Sequence, residues 1–114
     1  KRMEYTMGSK DVFVNLVGGL KVDDPALDLA IICSISSNLL EKPISKKVVL
    51  CGEVGLAGEV RSVSRLEHRL KEAFSLGFET ALIPASSLRD NIREKLQINL
   101  IPVKYVKDAF KALF

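Results

Sequence analysis

Side chains that could act as nucleophiles are few in this chain, and their spacing does not favour catalysis. Ser34, Ser36 and Ser37 lie within one apolar stretch, where a serine hydroxyl usually bonds the backbone carbonyl one turn back instead of attacking a substrate. A serine nucleophile also needs a base beside it, either a histidine or a lysine kept neutral by a dry site. The spacing reveals no such pair, and a peptidase that uses another serine, such as Ser36 or Ser64, stays open as an alternative.

The histidine and the two cysteines predict no metal or redox centre. His68 is the single histidine, and because it lacks a second ligand at metal-binding spacing we expect a surface residue. Cys33 and Cys51 each lie in an apolar run without the paired spacing of a zinc or redox motif, so we expect small buried side chains. Free buried thiols fit a reducing compartment, which favours a cytoplasmic protein.

The glycines and two adjacent aspartates favour turns and a helix start over a ligand site. Because the glycines lack the spacing of a phosphate-binding loop, we expect turns at Gly18, Gly19, Gly52, Gly55 and Gly58. Asp23 and Asp24 could hold a cation at a strand-to-helix junction. Capping of a helix that begins at Pro25 explains Asp24 with fewer assumptions.

The order of apolar runs and breaks indicates an α/β domain. β-Branched runs predict strands, and the amphipathic stretches between them predict helices that imply right-handed crossovers and partly parallel pairing. The expected order is β-α-β-β-α-β-α-β-α, with strands at 11–17, 47–51, 59–63, 79–83 and 98–103 and helices at 25–40, 65–76, 86–96 and 105–113. The first helix should be buried, with Ser34, Ser36 and Ser37 in it and Ile35 among its core residues. The second should bury Leu66, Leu70, Ala73, Phe74 and Leu76 on one side.

Size and composition fit one small domain. The chain has 114 residues, of which 47% are hydrophobic, and at this size folding buries roughly two-thirds of the unfolded surface. No apolar stretch reaches the roughly 20 residues of a membrane-spanning helix, so we expect no membrane partner. The mean hydropathy of +0.17 favours apolar surface that is hidden in an oligomer. Because the chain starts at Lys1 with neither Met nor a signal peptide, we expect a piece of a longer protein.

Basic residues form three groups, although the overall charge is small. The chain carries 17 lysines and arginines against 14 aspartates and glutamates, a net charge of +3. Such groups are often merely solvated faces. They comprise Lys42, Lys46 and Lys47; Arg61, Arg65, Arg69 and Lys71; and Lys104, Lys107 and Lys111.

Three separated segments together resemble a known family. They are residues 11–19 (DVFVNLVGG), 24–30 (DPALDLA) and 52–61 (GEVGLAGEVR), and the ending 101–104 (IPVK) agrees as well. In order and spacing they resemble the Lon-protease-like C-terminal domain of the RadA (Sms) family of bacterial DNA repair proteins, over essentially the whole chain. The resemblance implies a Lon-protease-like, ribosomal protein S5 domain 2-like fold, which is α/β with two layers, a mixed sheet and packed helices. It implies that residues 11–114 form this domain and 1–10 a residual linker from a preceding ATPase core.

The same resemblance implies a protease fold without protease chemistry. Lon proteases use a serine after a Gly-Pro pair and a lysine after a Gly-Gly pair. When the two sequences are aligned without gaps, Ala26 stands at the position of the serine. Ser64 and Arg65 stand at the positions of the Gly-Gly pair, and Glu67 stands at the position of the lysine. Alanine cannot form an acyl-enzyme and a carboxylate cannot supply a neutral amine, so we expect no peptidase activity.

Ring formation and DNA binding are the functions that the resemblance implies. Lon-type domains form six-membered rings, so a homo-hexamer is expected, with one contact near Gly55–Gly58. The longer protein would be a DNA-dependent ATPase in recombinational repair and branch migration, whose ATP, Mg and Zn sites belong to parts that are absent here. No cofactor is expected in this chain.

Single- or double-stranded DNA is the expected partner, held through phosphates without sequence readout. The expected contacts are Arg61, Arg65 and Arg69 first, with Lys42, Lys46 and Lys47 second. The alternative is a pure oligomerisation module, with DNA bound only by the absent ATPase core.

Overall fold

The computed structural model describes residues 24–88 and 92–114. The helices are α1 (Asp28–Leu40), α2 (Leu66–Ser75), α3 (Ile92–Lys95) and α4 (Val106–Leu113), and 3₁₀ turns occupy Pro25–Leu27 and Ala85–Ser87. The strands are β1 (Val48–Leu50), β2 (Glu53–Val54), β3 (Val60–Arg61), β4 (Thr80–Pro84) and β5 (Asn99–Val103). The predicted strand at 11–17, the Gly18-Gly19 turn, Asp23 and the expected 1–10 linker lie outside the described residues.

A parallel sheet of β1, β4 and β5 forms the centre of the fold. The strand order is β1-β4-β5, with Leu50 opposite Leu82 and Leu82 opposite Ile101. Strands β2 and β3 form a separate antiparallel hairpin. The expected α/β class with parallel and antiparallel pairing is confirmed.

Helices cover both faces of the parallel sheet. Alternate strand residues point to opposite faces, and the apolar side chains accordingly fall into two clusters. One cluster joins Val49, Ala81 and Leu100 to side chains of α2 and α3. The other joins Leu50, Leu82 and Val103 to side chains of α1 and α4. The described residues therefore form three layers where two were expected.

The start of the first helical segment confirms Asp24 as its cap. The Asp24 carboxylate accepts a hydrogen bond from the Ala26 N–H at 3.0 Å, and Pro25 stands in the first turn, where a missing N–H costs nothing. This turn is 3₁₀ and then continues as α1. Glu41 ends α1 in a left-handed conformation, with φ 56°.

Several local expectations are wrong in detail. The helix expected at 86–96 is interrupted, because Leu88 is extended (φ −77°, ψ 116°) between a 3₁₀ turn and the short α3. Strand β2 has no counterpart in the expected order of elements. Ile35, Phe74 and Leu76, expected in the core, are 47%, 43% and 55% exposed.

The serines of α1 also depart from the expected bonding. Ser37 Oγ donates forward to the Lys42 carbonyl at 2.6 Å instead of one turn back. Ser34 Oγ is buried without a hydrogen-bond partner among the residues that the structure describes. No helix within the described ranges is long and apolar enough to cross a membrane.

Gly77 provides a direct test of this backbone. It ends α2 at φ +102° with open space where a Cβ would be, so only backbone strain opposes a side chain there. Gly77→Ala should lower the free energy of unfolding by roughly 1–2 kcal/mol, measured by urea denaturation. Glu72→Ala, at an exposed site on the same helix, should change it by less than about 0.5 kcal/mol. Equal effects of the two variants would contradict the assignment of this helix end.

Candidate nucleic-acid interface

The β2–β3 hairpin is fixed to the carboxyl edge of the parallel sheet. The Val60 N–H donates to the Lys104 carbonyl just beyond β5 at 2.8 Å, and the Val106 N–H donates to the Gly58 carbonyl at 2.9 Å. Val54 N–H donates to the Asp28 carboxylate of α1 at 3.1 Å. The hairpin therefore stands above the ends of the strands, which is the usual ligand-binding edge of α/β sheets.

Glu59 stiffens the tip of this hairpin. Its carboxylate accepts from the Ala57 N–H at 3.1 Å and from the Arg61 guanidinium at 2.6 and 3.0 Å. It also occupies the space in which a Cβ on residue 55 would lie, so a side chain at Gly55 would displace the Glu59 carboxylate from this position. Hydrogen bonds from its own backbone N–H and from Arg61 lower the pKa of the Glu59 carboxyl below its usual range. Glu59 is therefore ionised at neutral pH and holds Arg61 in place.

Gly58 lies in the bend of the hairpin, as expected, whereas Gly52 directly precedes β2 outside any turn and is limited by packing. A Cβ on Gly52 would lie 2.7 Å from Val60 Cγ1, and Gly58 has φ +81°. Leu56 at the tip, inside the expected ring contact at Gly55–Gly58, is fully exposed.

Arg65 has a backbone conformation that usually favours glycine. It precedes α2 with φ 58° and ψ 35°, and its side chain is exposed. A left-handed conformation costs a non-glycine residue roughly 1–2 kcal/mol, and residues held this way concentrate at functional sites. The left-handed backbone thus places an exposed guanidinium directly before α2.

Arg69, by contrast, makes its contacts inside the fold. Its guanidinium donates to the Asp24 carboxylate at 3.1 Å and to the Ser64 carbonyl at 3.0 Å. The Arg69 and Asp24 side chains are only 16% and 19% exposed. The pair fastens the capped start of the α1 segment to α2, which is a structural position and separates Arg69 from Arg61 and Arg65.

The predicted lysine group lies at the other end of the sheet. Lys42 and Lys46 are exposed in the loop that leads into β1, and Lys47 pairs with Glu79 just before β4 at 3.0 Å. This is the amino edge, separated from the carboxyl edge by the length of β5, roughly 15 Å. The predicted lysine group and the predicted arginine group therefore lie at different edges of the sheet and do not form one surface.

An open groove lies beside the hairpin on the carboxyl edge. It has a volume of about 300 Å³, and its lining includes Val60, Ser86, Lys104 and Tyr105. The Lys107 ammonium lies 5.5 Å from the centre of the Tyr105 ring, a distance that allows cation–π attraction.

Hydroxyl groups continue this polar edge. Ser62 Oγ lies 2.8 Å from Ser86 Oγ, and the Ser87 hydroxyl donates to Ser62 Oγ at 3.4 Å. Together with the lysines and arginines, they give the edge donors that suit phosphate oxygens.

Lys104, Tyr105 and Lys107 are the part of this edge that the sequence prediction left out. The sequence shows Lys104 and Lys107 as a basic group, but their distance from Arg61 along the chain hid the shared location. The available signal was topological, because a residue that ends a parallel strand comes to the same edge as one that leaves the neighbouring strand.

The two positions that the resemblance aligns with the Lon serine and lysine hold a core residue and a surface residue. The Ala26 side chain is 1% exposed in the apolar core, and its backbone carbonyl accepts from the Gly52 N–H at 3.1 Å. Glu67 lies on α2 and pairs with Lys71 at 3.3 Å and with Lys95 at 3.9 Å. Ala26 therefore offers no hydroxyl nucleophile, and Glu67 offers no neutral amine.

The cysteines and histidine lie as predicted. Cys33 and Cys51 are free and buried, and burial raises the pKa of both thiols to about 12. His68 is exposed on α2. Within 24–88 and 92–114, no group of three histidine, cysteine or acidic side chains could hold a metal ion.

Comparison with known proteins finds one matching family model and several similar proteins. Residues 1–87 match the family model for subunit ChlI of Mg-chelatase. DNA repair protein RadA of Chlamydia muridarum is 38% identical over 114 residues, covering 99% of this chain and 25% of the relative. RadA of Bacillus subtilis is 42% identical over 111 residues (97% and 24%), and RadA of Escherichia coli K12 is 42% identical over 103 residues (90% and 22%). The chain spans about a quarter of the length of these relatives.

Removal of Arg69 tests its structural position. Because Arg69→Ala leaves Asp24 with a largely buried, unpaired carboxylate, the free energy of unfolding should fall by roughly 2 kcal/mol, less than for a fully buried pair. Urea denaturation measures the change. Lys71→Ala removes an ion pair whose lysine is 58% exposed, so its effect should stay within about 0.5 kcal/mol. An Arg69→Ala effect as small as the Lys71→Ala effect would show that the Asp24 pair stabilises nothing.

Proposed function

The chain belongs to the family described as subunit ChlI of Mg-chelatase and matches RadA proteins over nearly its whole length, and from this premise we propose that it is a non-catalytic, ring-forming and DNA-binding domain that acts in DNA repair. The longer protein would be a DNA-dependent ATPase of recombinational repair and branch migration. The observation that carries the DNA-binding part is the convergence of Arg61, Arg65, Lys104 and Lys107 on one edge of the sheet.

The absence of catalysis rests on the two positions at which Lon proteases hold their dyad. Ala26 has no oxygen and is enclosed by the core, so a substrate carbonyl could not reach it. Glu67 is an acid paired with two lysines. Two other serines, Ser36 and Ser64, were considered as nucleophiles. His68 is the single histidine of the chain, and it makes no hydrogen bond to either serine among the described residues.

Several features of the carboxyl edge suit phosphate groups. Arg65 and Lys104 are exposed, and Arg61 is oriented by Glu59 at 2.6 Å. Rigid orientation reduces the side-chain entropy that binding removes, and serine hydroxyls offer further donors to phosphate oxygens. Contacts of this kind attach DNA without reading its sequence, which suits repair at arbitrary sites.

Oligomerisation would strengthen a weak charge. One chain carries a net charge of +3, which attracts DNA only modestly. Six copies in a ring would present six such edges, and affinity would rise because the later contacts become intramolecular. The alternative, a pure oligomerisation module, would leave this edge without DNA.

Arg69 is better placed to support the edge than to contact DNA. It fixes the start of α2 through the Ser64 carbonyl and Asp24, next to Arg65. Lys42, Lys46 and Lys47 remain a second candidate contact, because their loop is exposed on the amino edge.

Charge reversal on the carboxyl edge tests the proposal. Arg65→Glu with Lys104→Glu should weaken DNA binding at least tenfold at low salt, and the slope of log affinity against log salt should become shallower by about 1 for each phosphate that the variant no longer neutralises. Fluorescence anisotropy with single- and double-stranded oligonucleotides measures both quantities. Arg65→Gly, a substitution that the left-handed backbone favours, removes one guanidinium without a folding penalty.

The matched control is Arg93→Glu with Lys111→Glu, which makes the same change in charge at exposed positions of α3 and α4, outside both candidate contacts. Its effect should be several-fold smaller. Equal losses of affinity in both double variants would mean that DNA responds to net charge alone. No binding by an oligomeric sample at low salt would favour the oligomerisation module.

A further inference from the structure

Two surface grooves each contain an exposed aromatic ring. Tyr105 lines the groove beside the hairpin, which has a volume of about 300 Å³, and Phe74 lines a groove of about 170 Å³ between α2 and α3. The two residues are almost equally accessible, with Tyr105 44% and Phe74 43% exposed. Aromatic rings beside cations are the sites on which proteins stack the bases of single-stranded nucleic acids. The charges around each ring therefore decide which groove suits DNA.

At the Phe74 groove the lysines are paired and the acids are not. Lys71 and Lys95 both line this groove and both pair with Glu67, at 3.3 and 3.9 Å. Among the remaining charged side chains of α2 and α3, those that form neither a hydrogen bond nor an ion pair with a described residue are two acids and one base: Glu72, Glu94 and Arg93. Unpaired acids therefore outnumber unpaired bases, which is unfavourable for phosphates.

At the Tyr105 groove the arrangement is the reverse. Glu59, which lines the groove, accepts from the Arg61 guanidinium at 2.6 and 3.0 Å. Asp108 accepts from the Tyr105 N–H at 3.0 Å, and Asp28 accepts from a backbone N–H of the hairpin. The side chains of this edge that have no such partner within 24–88 and 92–114 are three bases and one acid: Arg65, Lys104, Lys107 and Glu53. Unpaired bases outnumber unpaired acids here, so this groove suits phosphates.

The Tyr105 ring projects from a fixed backbone. Besides the N–H that donates to Asp108, its carbonyl accepts from the Asp108 N–H at 2.9 Å and from the Ala109 N–H at 3.4 Å. Tyr105 also forms a β-bridge with Glu59 of the hairpin. A ring held in this way loses little conformational freedom when a ligand stacks on it, which favours binding.

We propose that Tyr105 stacks on an unpaired base of single-stranded DNA while Lys104 and Lys107 contact the adjacent phosphates. Lys104 lines the same groove, and the Lys107 ammonium lies 5.5 Å from the centre of the ring. The inference rests on the DNA-binding part of the proposed function and adds a preference for single strands, which phosphate contacts alone do not provide.

The size of the groove favours an unpaired base. Its volume of about 300 Å³ is at the lower end of the range for small-molecule sites, roughly 300–1,000 Å³, so it has room for one base and not for a double helix. A base in an intact duplex would first have to leave its stack, which costs energy. A duplex therefore binds this edge through phosphates alone and more weakly.

Fluorescence anisotropy with a single-stranded oligonucleotide and with a duplex of the same length tests the preference. The unmodified chain should bind the single strand several-fold more tightly, and Tyr105→Ala should weaken that binding roughly tenfold with little effect on the duplex. Because this variant removes no charge, the slope of log affinity against log salt should not change. Tyr105→Phe keeps the ring and should bind as the unmodified chain does.

The matched control is Phe74→Ala, which removes an almost equally exposed ring near the end of α2. It should leave both affinities unchanged. A second readout uses a single strand that contains 5-iodouracil, a base that light joins to an aromatic ring on which it stacks. The cross-link should map to Tyr105 by mass spectrometry and should disappear in Tyr105→Ala.

Each other outcome contradicts a defined part of the account. If both DNA forms bind but Tyr105→Ala leaves the strand preference unchanged, this inference is wrong and the proposed DNA-binding edge still stands. An equal loss with Phe74→Ala, or equal losses for single strand and duplex with Tyr105→Ala, would also contradict stacking on Tyr105. A smaller mass of Tyr105→Ala in light scattering would place the ring in a subunit contact instead. No binding of either DNA form at low salt would overturn both the DNA-binding proposal and this inference.

Discussion

The anchoring of the β2–β3 hairpin on the carboxyl edge is the constraint on which the candidate interface depends. Two backbone hydrogen bonds, from Val60 to Lys104 and from Val106 to Gly58, join residues more than forty positions apart. Without them Arg61 would belong to a loop, and Lys104 and Lys107 would belong to an unrelated end of the chain. Backbone N–H and C=O groups at this edge need hydrogen-bond partners when they leave water. The hairpin provides such partners just beyond β5, and it also brings the basic side chains to one edge.

Contacts of single residues hold the surroundings of the hairpin in place. Gly52 keeps the hairpin against α1, since a side chain there would collide with Val60, and Arg65 has a left-handed backbone directly before α2. Ala26 belongs to the apolar core, and Glu67 pairs with Lys71 and Lys95. Under the proposal of a domain without peptidase activity, the two positions that the resemblance aligns with the Lon dyad therefore serve packing and surface ion pairs.

Much of the fold follows from local signals in the sequence. Asp24 and Pro25 predict the first helical segment, Gly77 predicts the end of α2, and the Val-Val-Leu run predicts β1, because capping, left-handed glycine and β-branching act over a few residues. Local pattern does not predict which outward residues stay exposed: Ile35 and Phe74 are apolar and periodic, yet no described element covers them. It also groups Arg69 with Arg61 and Arg65, whereas the ion pair with Asp24, 45 residues away, holds it in the fold. The convergence of Lys104 on the hairpin required the strand order.

The most direct test of the account is hydrogen exchange of the chain with and without a short DNA duplex, read by mass spectrometry at low salt. Binding at the carboxyl edge predicts slower exchange in segments 58–66 and 104–108, while the amino-edge segment 42–48 stays unchanged. Protection confined to 42–48, or saturating binding without protection at either edge, would contradict the claim that the hairpin builds the DNA-binding surface.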